Sequence, residues 1–102
     1  LVEEGTFVGK GAVINCGARI GKGCIINTMS LVEHDCVVGD FVHLAVGAIL
    51  CGDVFVGRSA FIGANATVLQ GISISENITI PAGIVVRKGT IMSELVKKSK
   101  GG

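Results

Sequence analysis

The stretch Ile26-Asn-Thr-Met-Ser-Leu-Val-Glu-His-Asp-Cys-Val-Val-Gly-Asp-Phe-Val-His-Leu44 decides the fold, because an aliphatic residue recurs in it at every sixth position. The same phase holds without insertion from Val2 to Val86. A second column, read at every sixth residue from Thr6 to Thr90, contains only small or aliphatic residues. Neither a helix nor a simple alternating strand has this period, whereas a fixed hexad repeat is typical of a parallel β-helix.

The two columns predict an all-β domain over residues 1–91, a parallel β-helix in which three short strands close each of about five coils. Both columns point inward, because they lie two residues apart on each strand. Three residues after the first column, most positions are Gly, Asp or Asn, which tolerate the positive φ of a tight turn. Residues 92–102 predict a short C-terminal helical cap, with Ser93 as its N-cap, and a frayed tail.

The residue before each inward aliphatic residue should face outward. Two of the three resulting outward columns are strongly apolar around their middle. A monomer rarely exposes apolar stripes of that size, so we expect them to be buried between the subunits of a cyclic homotrimer. The columns of the first, second and third face are Leu1, Arg19, Val37, Phe55, Ser73; Phe7, Ile25, His43, Phe61, Thr79; and Val13, Leu31, Ile49, Thr67, Val85.

Composition excludes several classes of function. The formal net charge is +1, which argues against nucleic-acid binding. The longest run without a charged residue, Ser59 to Ser75, contains several polar residues and is shorter than the ~18 to 20 apolar residues of a membrane-spanning helix. The four cysteines have no CxxC spacing and have small apolar neighbours. We expect them to be buried free thiols in a reducing compartment, which makes the cytoplasm the default location.

His34 and His43, the two histidines of the chain, differ in their place in the repeat. His34 follows Val32 by two residues and lies at a corner, while His43 precedes Leu44 and lies on an outer face. One side of the prism, about 20 Å of chain at ~3.3 Å per residue, separates them. If they act together, they act across a subunit boundary.

From Ile26 to His43 the sequence resembles the bacterial sugar O-acyltransferase family of left-handed β-helix acetyltransferases. The specific part is an Asn-Thr-x-Ser-x-x-Glu-His-Asp-Cys string followed, nine residues after its His, by a second His. The family includes sialic-acid O-acetyltransferases and UDP-4-amino-sugar N-acetyltransferases. The resemblance implies left-handed winding, acetyl-CoA as the acetyl donor, a small sugar acceptor and no metal.

The resemblance also implies a role for each matching residue. His34 would be the general base and Asp35 the acidic residue that supports it. His43 would contact the acetyl group or thioester of acetyl-CoA, and Asn27 would bind substrate. Imidazole suits the role of base because it is largely neutral at cytoplasmic pH and a neighbouring carboxylate can orient it.

Main-chain groups at Ala64 and Ala82 match positions that line the coenzyme groove in the family. Two departures stand out. The N-terminal nucleotide-sugar domain usual in the family is absent from this chain, and Lys88-Gly-Thr-Ile-Met92 replaces the usual Gly-x-Pro-Ala-Lys ending. We therefore predict an acetyl-CoA-dependent acetyltransferase that acts on the amine of a UDP-4-amino-sugar, with a sialic-acid-type O-acetyltransferase as the alternative.

Plainer interpretations stay open. Asp35 could be only a turn former, as Asp53 is expected to be, and Asn27 could be only a corner residue. His43 could pack in the trimer seam without a chemical role. The same fold also serves zinc hydratases, which would need a Cys or Asp beside the two histidines, and non-catalytic scaffolds.

Overall fold

A computed structural model describes residues 1–90, in which every regular element is a two-residue β-strand. The hexad places one strand before each corner, so strand and turn alternate along the chain. The strands are β1 Phe7–Val8, β2 Val13–Ile14, β3 Arg19–Ile20, β4 Ile25–Ile26, β5 Leu31–Val32, β6 Val37–Val38, β7 His43–Leu44, β8 Ile49–Leu50, β9 Phe55–Val56, β10 Phe61–Ile62, β11 Thr67–Val68, β12 Ser73–Ile74, β13 Thr79–Ile80 and β14 Val85–Val86.

The strands form three parallel sheets, one on each face of the prism. The first face has four strands in the order β12-β9-β6-β3, and a parallel bridge from Val2 to Ile20 extends it. The second face is β1-β4-β7-β10-β13 and the third is β14-β11-β8-β5-β2. The chain thus winds between four and five times, and the predicted parallel β-solenoid is confirmed. Left-handed winding stays a prediction from the resemblance.

Register places each outward residue on the face that the hexad predicts. On the second face, for example, His43 pairs with Ile25 on one side and with Phe61 on the other. Each coil therefore stacks on the next with identical hexad positions in line, eighteen residues apart. This stacking lets side chains from successive coils meet at a corner.

The backbone turns at the corners with a positive φ at every sixth residue from Gly5 to Gly89. Gly, Asp and Asn fill most of these positions, as expected. Met29, Phe41 and Ser59 also adopt this conformation, which the amino-acid types did not predict. A Cβ at Gly23 would lie 2.7 Å from the Phe41 ring, so the glycine one coil earlier leaves space for the larger side chain.

Both inward columns form the core. From Ala18 onward, the aliphatic column is buried through Val86, and its small partner column is buried through Ala66. At the first coil Val2 and Val8 are each 42 % exposed, because no coil of the described residues covers that end. The one buried polar side chain of the described core, Ser30, donates its hydroxyl to the Asn27 carbonyl at 2.7 Å.

All four cysteines are free thiols, as predicted, but only two of them are buried. Cys24 and Cys36 belong to the inward column, and burial raises the pKa of both thiols. Cys51 is half-buried and Cys16 is exposed. The expectation of burial is wrong for Cys16, which occupies the same corner position as His34, and only partly right for Cys51, which also lies at a corner and not in an inward column.

The predicted cap and tail over residues 92–102 lie outside the described residues. Within residues 1–90, no helix has the length and apolar character needed to cross a membrane.

Candidate active site at a corner of the prism

His34 projects from the corner between β5 and β6. The backbone there is bonded to the coils on both sides: the Asp35 N–H donates to the Cys16 carbonyl at 3.1 Å, and the His34 carbonyl accepts from the Asp53 N–H at 3.0 Å. Asp35 has a φ of 61°, the left-handed conformation that Asp tolerates well. The fixed backbone therefore presents two adjacent functional side chains on a rigid support.

The side chains of His34 and Asp35 contact each other. The distance from His34 Nδ1 to Asp35 Oδ2 is 3.2 Å, and the two side chains are 49 % and 62 % exposed. When the ring proton is on Nδ1, it is donated to the carboxylate and Nε2 keeps its lone pair. This is the arrangement that a histidine needs to accept a proton from a substrate.

The next coil completes the surroundings of His34 with Gly52 and Asp53. The Nε2 edge of the imidazole faces Gly52, which is buried. Asp53 adopts the predicted turn conformation, with a φ of 57°. Ligand atoms of His34, Asp35 and Asp53 all lie within 4.8 Å of one another, and this group is the one set of three in residues 1–90 that could hold a metal ion.

Glu33 precedes His34, and its side chain points toward the preceding coil. Its carboxylate accepts a hydrogen bond from Asn15 Nδ2 of that coil. This contact joins two coils at the corner, while the His34 imidazole contacts Asp35.

His43 lies on the second face, in β7. Its ring packs against Phe61 of the next coil, with centroids 4.9 Å apart and planes inclined by 60°. The Asn27 side chain lies on its other side, with Nδ2 3.5 Å from His43 Nε2. Because Asn27 Oδ1 already accepts from the Thr28 N–H at 2.7 Å, the amide nitrogen is the end that faces the ring.

The structure brings His43 and Asn27 together but keeps both apart from His34. The side-chain contacts of His34 involve Asp35, Gly52 and Asp53, whereas those of His43 involve Asn27 and Phe61. No residue belongs to both groups. One chain therefore carries two separate groups of side chains, one at a corner and one on a face.

Ala64 and Ala82 occupy equivalent corners one coil apart, after β10 and β13. The Gly83 N–H donates to the Ala64 carbonyl at 2.9 Å. Within residues 1–90, the N–H groups of Ala64 and Ala82 donate to no main-chain carbonyl. Two main-chain donors in line along one edge could bind the amide carbonyls of an extended ligand.

Sequence reasoning missed Gly52 and the approach of Asp53 to the His34 corner. The signal was present, since Gly52 and Asp53 lie eighteen residues after His34 and Asp35 and so stack on them in the next coil. Phe61 belongs to the outward column that contains His43, but its packing against the His43 ring was not predicted. The corner columns, taken at the same period of eighteen, indicate both Gly52 and Asp53 as neighbours of the candidate base.

A family model described as the hexapeptide repeat of succinyl-transferase matches residues 1–28 and 53–88. The chain belongs to this hexapeptide-repeat family. The candidate base and the second histidine lie between the two matched segments, where Glu33-His-Asp35 interrupts the usual corner composition. No curated protein sequence matches the chain.

Solved structures similar to this chain include acetyltransferases. Perosamine N-acetyltransferase from Caulobacter crescentus, a variant in complex with CoA and GDP-perosamine, is 35% identical with a TM-score of 0.75, over 85% of this chain and 44% of that one. The acetyltransferase domain of PglB from Neisseria gonorrhoeae is 30% identical with a TM-score of 0.62, over 83% of this chain and 46% of that one. The chain therefore spans less than half the length of these relatives. The PglB domain has also been solved with acetyl coenzyme A, at 29% identity and a TM-score of 0.61.

Proposed function

We propose that this chain carries the catalytic β-helix of an acetyl-CoA-dependent acetyltransferase that acts on the amine of a nucleotide-linked amino-sugar. The observation that carries the proposal is the contact of His34 Nδ1 with Asp35 at 3.2 Å, which leaves Nε2 available as a base. The Caulobacter relative, an N-acetyltransferase with CoA and GDP-perosamine bound, supports the acceptor class. A sugar hydroxyl as acceptor, as in sialic-acid O-acetyltransferases, is the alternative.

The reaction is a direct transfer. The acceptor nitrogen attacks the thioester carbonyl carbon, a C–N bond forms, and the C–S bond breaks to release CoA as a thiolate. His34 Nε2 takes the proton that the acceptor loses, and Asp35 stabilises the resulting imidazolium. The proton then passes to the leaving thiolate or to solvent, so the enzyme returns to its starting state.

His43 would polarise the thioester carbonyl. Because the Asn27 amide faces His43 Nε2, the ring proton is assigned to Nδ1, which leaves Nδ1–H as a donor to the carbonyl oxygen. The ring is held in place by Phe61. Asn27 would thus act through His43 as well as at the edge of the substrate site.

The two groups of side chains would meet in a homotrimer. Exposed apolar side chains on the outer faces, among them Ile25, Val37, Phe55 and Val85, are the surfaces that we expect neighbouring prisms to cover. His34 of one subunit would then face His43 of the next. Acetyl-CoA would lie in the groove between them, bound by main-chain groups at Ala64 and Ala82.

Free thiols at all four cysteines and a coenzyme of central metabolism are consistent with a cytoplasmic enzyme. The location is part of this proposal.

A mixing experiment tests the shared site. His34→Ala and His43→Ala variants are each expected to lose most activity, about a hundredfold or more, since each removes one catalytic group. When the two variants are unfolded, mixed in equal amounts and refolded together, random assembly should restore about a quarter of the intact subunit boundaries of a trimer. Activity is followed as CoA release with amino-sugar and hydroxyl acceptors in parallel.

The outcomes separate the parts of the proposal. Recovery in the mixture supports the shared site, while two dead variants that stay dead when mixed contradict it. A His34→Ala protein that turns over at the wild-type rate rules out His34 as the base. Preference for a hydroxyl acceptor would select the O-acetyltransferase alternative.

A metal-dependent hydratase is the second candidate, because His34, Asp35 and Asp53 offer three ligand atoms within 4.8 Å. One imidazole and two carboxylates form a plausible zinc donor set. Calorimetric titration with Zn²⁺ tests it. Stoichiometric binding that disappears in Asp53→Asn, together with hydratase activity that depends on Zn²⁺, would favour this candidate over acetyl transfer.

A further inference from the structure

Gly52 is a glycine that the backbone of this fold does not require. The corner glycines have a positive φ, whereas Gly52 does not. In the same corner column, the preceding and following coils carry Cys16, His34 and Gln70. Because these positions hold ordinary side chains, the absence of one at residue 52 needs another explanation.

That explanation lies in the neighbour of Gly52. At the other described glycines without a positive φ, a Cβ would approach main-chain atoms of the next coil, such as the Arg58 nitrogen at 2.9 Å from a Cβ at Gly39. A Cβ at Gly52 would instead have three atoms of the His34 imidazole as its nearest neighbours, at 2.6 Å from Cε1, 3.1 Å from Cδ2 and closer still to Nε2. The space that a side chain would fill is occupied by the basic nitrogen itself.

We propose that Gly52 is a positioning residue for His34: its missing side chain lets the Nε2 edge of the imidazole rest against the next coil. The inference rests on the proposed function of His34 as general base. Two contacts then fix the ring. Asp35 Oδ2 contacts Nδ1 at 3.2 Å, and the main chain at Gly52 limits the rotation of the Nε2 edge of the ring.

The proposal makes a specific claim about geometry. An alanine methyl group at residue 52 would push the Nε2 edge outward, rotating the base away from the acceptor. Misplacement of a catalytic group by about 1 Å can cost up to a hundredfold in rate. The loss should appear in kcat, because the base acts in the transition state, while the KM for acetyl-CoA changes little.

The test is a double-mutant cycle of Gly52→Ala and His34→Ala. With His34 present, Gly52→Ala should lower kcat by about tenfold to a hundredfold and lower the melting temperature measured at a fixed protein concentration. With His34 replaced by Ala, the same change should no longer lower the melting temperature, since the methyl group then has room. Changed chemical shifts of the His34 ring protons in the NMR spectrum of Gly52→Ala would support displacement of the ring.

Two control variants isolate the contact. Gly39→Ala should lower the melting temperature equally with and without His34, because its Cβ meets main-chain atoms. Gln70→Ala changes side-chain size one coil further along the same column and should leave kcat unchanged.

Gly52→Ala with wild-type kcat and stability would overturn the proposal. An equal loss of stability in both backgrounds would also overturn it, because Gly52 would then be required by the backbone. If His34→Ala itself retains full activity, the proposed base is wrong, but the stability cycle still reports whether Gly52 accommodates the ring.

Discussion

Asp35 and Asp40 lie at successive corners of the same coil, and their carboxylates serve different ends. The Asp40 carboxylate accepts a hydrogen bond from the main-chain N–H of Lys22, one coil earlier, at 2.9 Å. The Asp35 carboxylate contacts the His34 ring at 3.2 Å. The first carboxylate joins two coils, whereas the second orients a side chain. Residue type is thus a poor guide to role, and the partner of the carboxylate decides it.

Side chains at the corner of Asp40 contact the coils on both sides. Phe41 turns the chain with a φ of 59°, and the Arg58 guanidinium of the next coil lies 5.6 Å from the centre of its ring. At the corner of His34, the side-chain contact between coils is made by Glu33 with Asn15, whereas His34 and Asp35 are half-exposed or more. This difference predicts that changes at Asp35 affect catalysis and that changes around Asp40 affect stability.

The largest effect should follow Asp35→Asn. Asparagine keeps the size and the turn conformation but removes the charge that would stabilise the imidazolium in the proposed mechanism. We expect kcat to fall about tenfold to a hundredfold, less than for a buried triad aspartate because solvent screens an exposed carboxylate. Steady-state kinetics and thermal denaturation measure the two quantities. If Asp35→Asn loses stability but keeps its kcat, Asp35 has a structural role like that of Asp40 and no catalytic one.

Asp40→Ala should lower stability without lowering the rate. It leaves the Lys22 N–H without its side-chain acceptor, and loss of one hydrogen bond costs about 1 kcal/mol. Asp40→Asn is the matched control, since it keeps an oxygen at the same position and should behave like wild type. Urea denaturation of the three proteins gives the free energies of unfolding. A reduced kcat in fully folded Asp40→Ala would contradict a purely structural role for Asp40.

Arg58→Ala should lower the free energy of unfolding by less than Asp40→Ala does. It removes the cation from the Phe41 ring, an interaction worth about 0.5 to 1 kcal/mol at an exposed site. Arg58→Lys keeps the charge and should retain part of the stabilisation. The measurement is again urea denaturation, and identical values for all three proteins would show that the ring contact contributes nothing.

The smallest effect at neutral pH concerns Cys36, in the core behind Asp35. Burial raises the pKa of its thiol above the reference value of 9.0. The folded chain then keeps this proton at a pH where the unfolded chain releases it, so stability falls as pH rises above about 9. Cys36→Ala should lose less stability between pH 8 and pH 10 than wild type does. An equal loss in both proteins would assign the alkaline sensitivity to other groups, such as Cys24.

Much of the molecule followed from its period. The hexad predicted both inward columns, the three outward columns and the corners, and the structure confirms them from Ala18 to Val86. It misjudged Cys16, because apolar neighbours in sequence do not put a residue inside a prism. It also missed Gly52 and the approach of Asp53 to His34 and Asp35, because both depend on residues about eighteen positions away.

The sequence by itself determined the scaffold, since a period of six leaves one way to put every aliphatic residue inside, and a slip of one residue would expose the whole column. It also determined that the two histidines occupy different sides of that scaffold. Only the tertiary structure decided which way the corner side chains lean: His34 toward Gly52 of the next coil, Asp35 toward His34, and Asp40 toward Lys22 of the preceding coil. Those directions depend on the space left by stacked coils, which the local sequence does not encode.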